Sequence, residues 1–338
     1  MAGTVPLDVR QEQDDHLPRP ITSETSTSKI IDLSQAIGSF VADDMTVALE
    51  GFGHLIPFAA AHEIIRQGRQ RLTLCRMTPD LLADQMIAAN AVSRLVASFF
   101  ASGSAGSLHE VRRRIEHSDP APLEIEEYSH YGMVCRYQAG AARLPFFPLR
   151  SYAGSDLPRA NPRIRKVNDP YGGPDIYVVP PLNPDVTIIH AQRADTTGNV
   201  QMWGIVGAQQ EAAYAARKVI VTVEEIVTND VVRSDPNRTL LPAHAVDAVV
   251  LCPGGAHPSY AQGYYDRDNA FYREWTAVSR DGSAVLSWLD QWVHGIDDRA
   301  AYLDQLGSSR WNGLAVEPWM SSPVNFGRGR TQPGMEHA

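Results

Sequence analysis

A carboxylate set against glycine is the first chemically suggestive feature of this chain. In VALEGFGHLIPFAAAHEIIRQG (47–68), a β-branched run ends at Glu50, and Gly51, Phe52, Gly53 and His54 follow. Glycines let backbone N–H groups approach an anion without interference from a Cβ. Glu50 is a candidate nucleophile or general base, because carboxylates can form acyl intermediates. The alternative is a strand-terminal acid satisfied by the amides of the next helix.

A second glycine-rich stretch, ASGSAGS (101–107), runs into SLHEVRRRIEH. Ser102, Gly103, Ser104 and Gly106 would lie just before a helix whose first amides are free, an arrangement suited to phosphate or carboxylate. The competing reading makes Ser107 an N-cap and the glycines a turn. The stretch has neither the lysine of a P-loop nor a G-x-G-x-x-G pattern, so no nucleotide motif is supported. RMTPD (76–80) and CPGGAHP (252–258) complete a set of four unusual strand ends. His54, His130, His190 and His257 are candidate proton-transfer groups, each weighed against an ordinary structural histidine. No His/Asp/Glu spacing suggests a metal site, and no G-x-S-x-G supports a serine nucleophile.

The elements that must position these residues alternate. MTVAL, RLTLC and SRLVASFF predict strands, separated by helices over PFAAAHEIIRQ and PDLLADQMIAANA. Pro57 sits near one helix start and Gly68 just past its end, as helix termini prefer. SKIIDLSQAIGSFVADD predicts a helix with Asp32 and Ser34 near its start. DVTIIHAQ and NVQMWG predict two strands joined through Thr197-Gly198, followed by a helix over GAQQEAAYAAR and a strand over KVIVTVEEIV. VDAVVLCPGGAHPSY predicts a buried strand entering a loop, and AFYREWTAVSR and SAVLSWLDQWV predict helices. Strand–helix–strand units imply parallel pairing with right-handed crossovers. The expected fold class is α/β, a layered domain with a mainly parallel sheet. Ligands then belong at the carboxyl ends of the strands.

Residues 1–28 are polar and proline-bearing, which predicts a disordered tail. Residues 29–320 form the expected domain, with an excursion over 151–175, and 321–338 a flexible C-terminal tail. The chain has 338 residues, 43% of them hydrophobic, enough for a sizeable core. Its formal charge of −9, from 30 Lys and Arg against 39 Asp and Glu, argues against nucleic acid and anionic membrane as partners. Any anionic ligand would be held by local amides and a few basic side chains. Cys75, Cys135 and Cys252 lie far apart without a C-x-x-C, which predicts reduced core thiols. No segment has the apolar length of a membrane span and no signal pattern opens the sequence, so a cytoplasmic location is expected.

The combination of VALEGFGHLIPFAAAHEIIRQG, LPFFPLR, VTIIHAQRADTTGNVQMWG, KVIVTVEEIV, VDAVVLCPGGAHPSYAQGYYDRDNAFY and YLDQLG resembles the alpha (A) subunits of class I CoA-transferases, most closely those of the glutaconate type. The likeness runs from about residue 29 to residue 320. It implies a fold shared with ribose-phosphate isomerases and glucosamine-phosphate deaminases. It also implies a beta-subunit partner, in a heterotetramer or larger assembly, and an acyl-CoA with a carboxylate as substrates. No bound cofactor is implied, since coenzyme A enters as a thioester. CoA would pass between carboxylates through a glutamyl thioester on the beta subunit.

Gly51-Phe52 matches the family's Gly-Gly-Phe loop, with Glu50 replacing its first glycine; Glu50, Gly51, Phe52 and Gly53 would form an oxyanion and substrate loop. Ser102, Gly103, Ser104 and Gly106 would contact the pantetheine or phosphates of CoA. Two other functions remain open from the sequence: a ring-opening CoA-ester hydrolase of the same fold, with Glu50 as base, and a non-catalytic acyl-CoA-binding subunit.

Overall fold

The computed structural model describes residues 28–101, 106–118 and 120–316. The expected tails, apart from Ser28, lie outside these residues. The strands are β1 (Thr46–Glu50), β2 (Leu72–Arg76), β3 (Val92–Ala97), β4 (Glu124–Glu127), β5 (Phe147–Leu149), β6 (Arg165–Val167), β7 (Ile176–Val179), β8 (Val186–Asp195), β9 (Val200–Gln201), β10 (Lys218–Val227), β11 (Thr239–Leu241) and β12 (Ala248–Leu251). The helices are α1 (Leu33–Phe40), α2 (Phe58–Arg66), α3 (Leu81–Ala88), α4 (His109–His117), α5 (His130–Ala141), α6 (Leu157–Ala160), α7 (Gln209–Ala215), α8 (Asn229–Ser234), α9 (Asn269–Val278), α10 (Gly282–Leu289), α11 (Arg299–Leu306) and α12 (Ser308–Asn312).

The nine-stranded main sheet runs β12-β10-β8-β1-β2-β3-β4 in parallel, with β9 paired antiparallel to β8 and β11 paired antiparallel to β9. The chain therefore starts in the middle of its sheet. From β1 it steps outward through β2, β3 and β4, then returns to the other side of β1 with β8 and continues through β10 to β12. The winding direction reverses between β1 and β8, which pair from Val47↔Val186 to Glu50↔Ile189. In open α/β sheets such a reversal leaves a crevice beyond the carboxyl ends of the strands, because the flanking connections diverge to opposite faces.

Period-2 alternation assigns each strand residue to one face. Val47 and Leu49 of β1 join the core under α1, α2 and α3, where Trp275 and Trp288 also pack. Ala48 belongs to the opposite face, with Tyr137 and Met133 of α5 and Ala212 of α7. Glu50, two residues on from Ala48, falls on the α5 face. Aspartates cap five helix starts: Asp32, Asp80, Asp268, Asp281 and Asp298 each accept a first-turn amide, worth about 1 kcal/mol apiece.

The sequence reading places the strands and helices on both sides of the reversal. It misses β4, α5, the strands β5, β6 and β7, and the short α6, α8 and β11, all but α5 of six residues or fewer and set among loops. The 151–175 stretch holds no strand of the main sheet. It belongs to a segment holding a separate antiparallel sheet, β5-β7-β6. No helix among the described residues is long and apolar enough to cross a membrane.

Candidate active site

The turn after β1 bends sharply at the crevice. A Cβ on Gly51 would lie 2.7 Å from the Leu55 carbonyl oxygen and 2.8 Å from the Ile56 Cα, so only glycine lets the chain fold back this tightly. Gly53 has φ +67°, and the space where its Cβ would be is open. Leu55, fully buried, is also left-handed at φ 52°. A non-glycine residue holds that conformation at a cost of about 1 kcal/mol or more, and such outliers gather at functional sites. Among the described residues the Phe52 and Gly53 amides have no acceptor. Successive unpaired N–H groups in a turn are the arrangement of a backbone nest, a type of concavity that suits an anion.

Neighbouring strand ends hold this turn down. The Leu55 amide donates to the Tyr260 carbonyl at 3.0 Å, and the Ile56 amide to Ser259 Oγ at 3.1 Å. Buried His54 donates from Nδ1 to the Ile205 carbonyl at 2.9 Å and accepts at Nε2 from the Gln262 amide at 3.0 Å. Burial pushes its pKa down to about 4. His54 is thus a neutral bracket between three loops.

Glu50 faces inward. It is 1% exposed, and its Oε1 accepts from the Tyr137 hydroxyl at 2.8 Å and the Met77 amide at 2.9 Å. Burial raises its pKa to about 7, against the opposing pull of Arg76, Tyr137 and the Met77 and Gly51 amides. Arg76 is itself engaged, donating to the Leu49 carbonyl at 2.6 Å and to Asp80 at 3.0 Å. Glu50 ties β1, β2 and α5 together beneath the turn. The partners differ from the expected helix amides, and the carboxylate does not face the crevice as a base would.

On the crevice side, four residues from separate elements meet. The Phe52 ring stands edge-on to His130 at 6.1 Å, and Phe99 lies 5.9 Å from the same imidazole. His130 Nε2 pairs with Thr78 Oγ1 at 2.9 Å. Phe52, Phe99 and His130 are exposed. Gly207 passes so close to Phe52 that a Cβ there would lie 2.8 Å from the Phe52 Cβ. RMTPD thus reaches the site through Thr78.

The other expected segments fare differently. Ser102, Gly103 and Ser104 lie outside the described residues. Gly106, at φ +114°, packs toward the Thr276 side chain. The helix that follows is not free at its start, a correction to both sequence readings of this stretch. Leu108, not Ser107, is the N-cap residue, and it makes no side-chain cap. Asp84 Oδ1, from α3, instead accepts the Glu110 and Val111 amides at 2.9 Å each.

The 252–258 loop is built inward. Glu224 of β10 accepts from the Tyr265 hydroxyl at 2.7 Å and the Gly254 amide at 2.8 Å, and its Oε1 is 2.6 Å from His190 Nε2. His257 bridges Tyr302 and Asp268, and burial pushes its pKa down to about 4. Of the four candidate histidines, only His130 is exposed.

The three cysteines are buried free thiols, and burial raises Cys75 and Cys252 to about 12. No group of three His, Cys, Asp or Glu residues that could hold a metal occurs among the described residues. Sequence reasoning missed Tyr137, Phe99 and Glu224. Their roles depend on partners far along the chain, and VEEIV carried only the faint signal of acids within an apolar strand.

An open parallel sheet whose winding reverses at a glycine turn with unpaired amides defines an α/β protein built to act on a ligand at its strand ends. The coenzyme A transferase family model matches residues 30–251. The A subunit of 3-oxoadipate CoA-transferase from Pseudomonas knackmussii is 48% identical over 283 residues, covering 84% of this chain and all of the relative. The cholesterol ring-cleaving hydrolase IpdA subunit of Rhodococcus jostii is 30% identical over 80% of this chain and 93% of its own. The crystal structure of glutaconate coenzyme A-transferase from Acidaminococcus fermentans superposes with a TM-score of 0.81 at 31% identity, covering 88% of this chain and 99% of that one. The chain belongs to the coenzyme A transferase family, and its fold is that of glutaconate CoA-transferase.

Proposed function

We propose that this chain is the A subunit of a cytoplasmic acyl-CoA:carboxylate CoA-transferase acting on short dicarboxylic acids. The acyl-accepting glutamate stands on a B-type partner. The observation that carries this reading is the pair of unpaired amides at Phe52 and Gly53, beside a Glu50 turned away from the crevice. Attack of a carboxylate on a thioester places negative charge on the carbonyl oxygen. Preorganised N–H donors act on that charge, each worth about 3–4 kcal/mol in the transition state. The turn supplies donors but no nucleophile, which is the division of labour a two-subunit enzyme needs. The relatives named for 3-oxoadipate and glutaconate support the dicarboxylic substrate class.

The hydrolase reading needs a base open to substrate. Glu50, closed off by Tyr137 and Met77, does not favour it.

The test is co-purification with the partner, incubation with succinyl-, glutaryl- and adipyl-CoA, and hydroxylamine or borohydride trapping read by peptide mass. The expected result is CoA transfer to added dicarboxylate, with a trapped thioester on a glutamate of the partner. CoA release without transfer, or a thioester on Glu50, would overturn the proposal.

A further inference from the structure

We infer that His130, with Thr78, reads the free carboxylate of a dicarboxylic acyl group, between walls formed by Phe52 and Phe99. This deepens the function proposed above and rests on it. The cluster stands where the ends of β1, β2 and β3 meet the start of α5, on the β1 side of the sheet's reversal. Ser129, the residue before His130, caps the Gly132 amide at 3.0 Å, so the helix start that carries His130 is already satisfied. His130 is therefore not needed as a cap. Nor does it serve the core, unlike His54, His190 and His257, which are fully buried and bonded on both ring nitrogens.

What holds His130 instead is one hydrogen bond, from the Thr78 hydroxyl to Nε2 or the reverse, and two phenyl rings. Its Nδ1 has no partner among the described residues. An exposed imidazole fixed by aromatic rings is a preorganised polar group on an apolar floor. The rings suit methylene groups, and a carboxylate oxygen can accept from Nδ1–H when the Thr78 hydroxyl donates to Nε2, or from the Thr78 hydroxyl when Nε2–H donates to it. Phe52 links this cluster to the chemistry, because its amide belongs to the nest and its ring touches His130. A short acyl chain with a thioester at one end and a carboxylate at the other would place the thioester by the Phe52 amide and the carboxylate by His130. A monocarboxylic acyl group would leave the imidazole unpaired.

The experiment uses the complex with its partner, as wild type, His130→Leu and His130→Asn. Donors are glutaryl-CoA and pentanoyl-CoA, which have the same chain length and differ in the distal carboxylate. Glutarate binding is measured separately by calorimetry. His130→Leu is expected to lower kcat/KM for glutaryl-CoA about 10- to 100-fold, mainly through KM, while pentanoyl-CoA changes little. His130→Asn, whose side-chain amide can donate near the position of Nδ1, recovers part of the loss. Equal loss with both donors, or none with either, overturns the inference. If the wild-type complex transfers CoA from neither donor, the proposed function fails. The subsite then stands or falls on whether His130→Leu abolishes glutarate binding.

Discussion

The glycine-rich ends of β1 and β12 look alike in sequence and do opposite things. After β1, glycine leaves amides open: Gly53 is left-handed, with empty space where a side chain would be. After β12, glycine lets the protein close in. A Cβ on Gly255 would lie 2.7 Å from the His190 ring, and the Gly254 amide is consumed by Glu224. Arg299 then donates to the carbonyls of both Gly254 and His257. The 252–258 loop also meets the start of α2, just after the β1 turn, through the Ala59 amide and the Gly255 carbonyl at 2.9 Å. One glycine loop keeps backbone donors open and the other is bonded into the protein as foundation. Glycine marks close approach of the backbone; whether a ligand or the protein itself approaches depends on which polar groups lie beneath.

The largest effect is expected at the foundation. Glu224→Ala strips acceptors from His190, Tyr265 and the Gly254 amide at once, costing about 3–5 kcal/mol in denaturant unfolding. A loss below about 1 kcal/mol would erase the contrast between the loops.

Next come the glycines as a pair. Gly51→Val must push the turn backbone away from Leu55 and Ile56, and is expected to lower kcat about 10²-fold while the complex still assembles. Gly255→Ala is expected to lower the thermal midpoint and leave kcat of the folded fraction unchanged. If both variants lost kcat equally, the 252–258 loop would belong to the chemistry.

The smallest effect concerns Glu50 and sharpens the picture of what lies under the working loop. Its pKa is raised on folding from 4.5 to about 7, so its contribution to stability is present below 4.5 and lost as pH rises through about 7. Glu50→Gln cannot ionise. The stability difference is therefore expected to shift in favour of the variant as pH climbs through that window, as read from thermal midpoints across a pH series. A pH-independent difference would mean that Glu50 is not held as a buried carboxyl.

Much of this was legible in the chain. The strand–helix alternation, the turn at Gly51 and Gly53, and the relevance of 76–80 follow from periodicity and glycine placement. The candidate site was legible only in part. Glu50 was visible as an unusual acid, but its direction was not, because Tyr137 lies 87 residues away on a helix the sequence hardly announces. The stretch before α4 advertised a free helix start that Asp84 closes from 26 residues upstream. His130 was one candidate among four until burial separated it from the others.

By itself the sequence determined the local parts: where strands begin and end, which aspartates cap helices, and where the backbone needs glycine. These depend on residues within a turn or two of one another, so neighbouring side chains suffice to encode them. The tertiary structure alone decided that β8 would lie beside β1, with Asp185 Oδ2 accepting the Thr46 amide across 139 positions. That pairing creates the reversal, opens the crevice and turns Glu50 inward. It is set by burial and hydrogen bonding summed over both faces of the sheet, and no short window of sequence contains that sum.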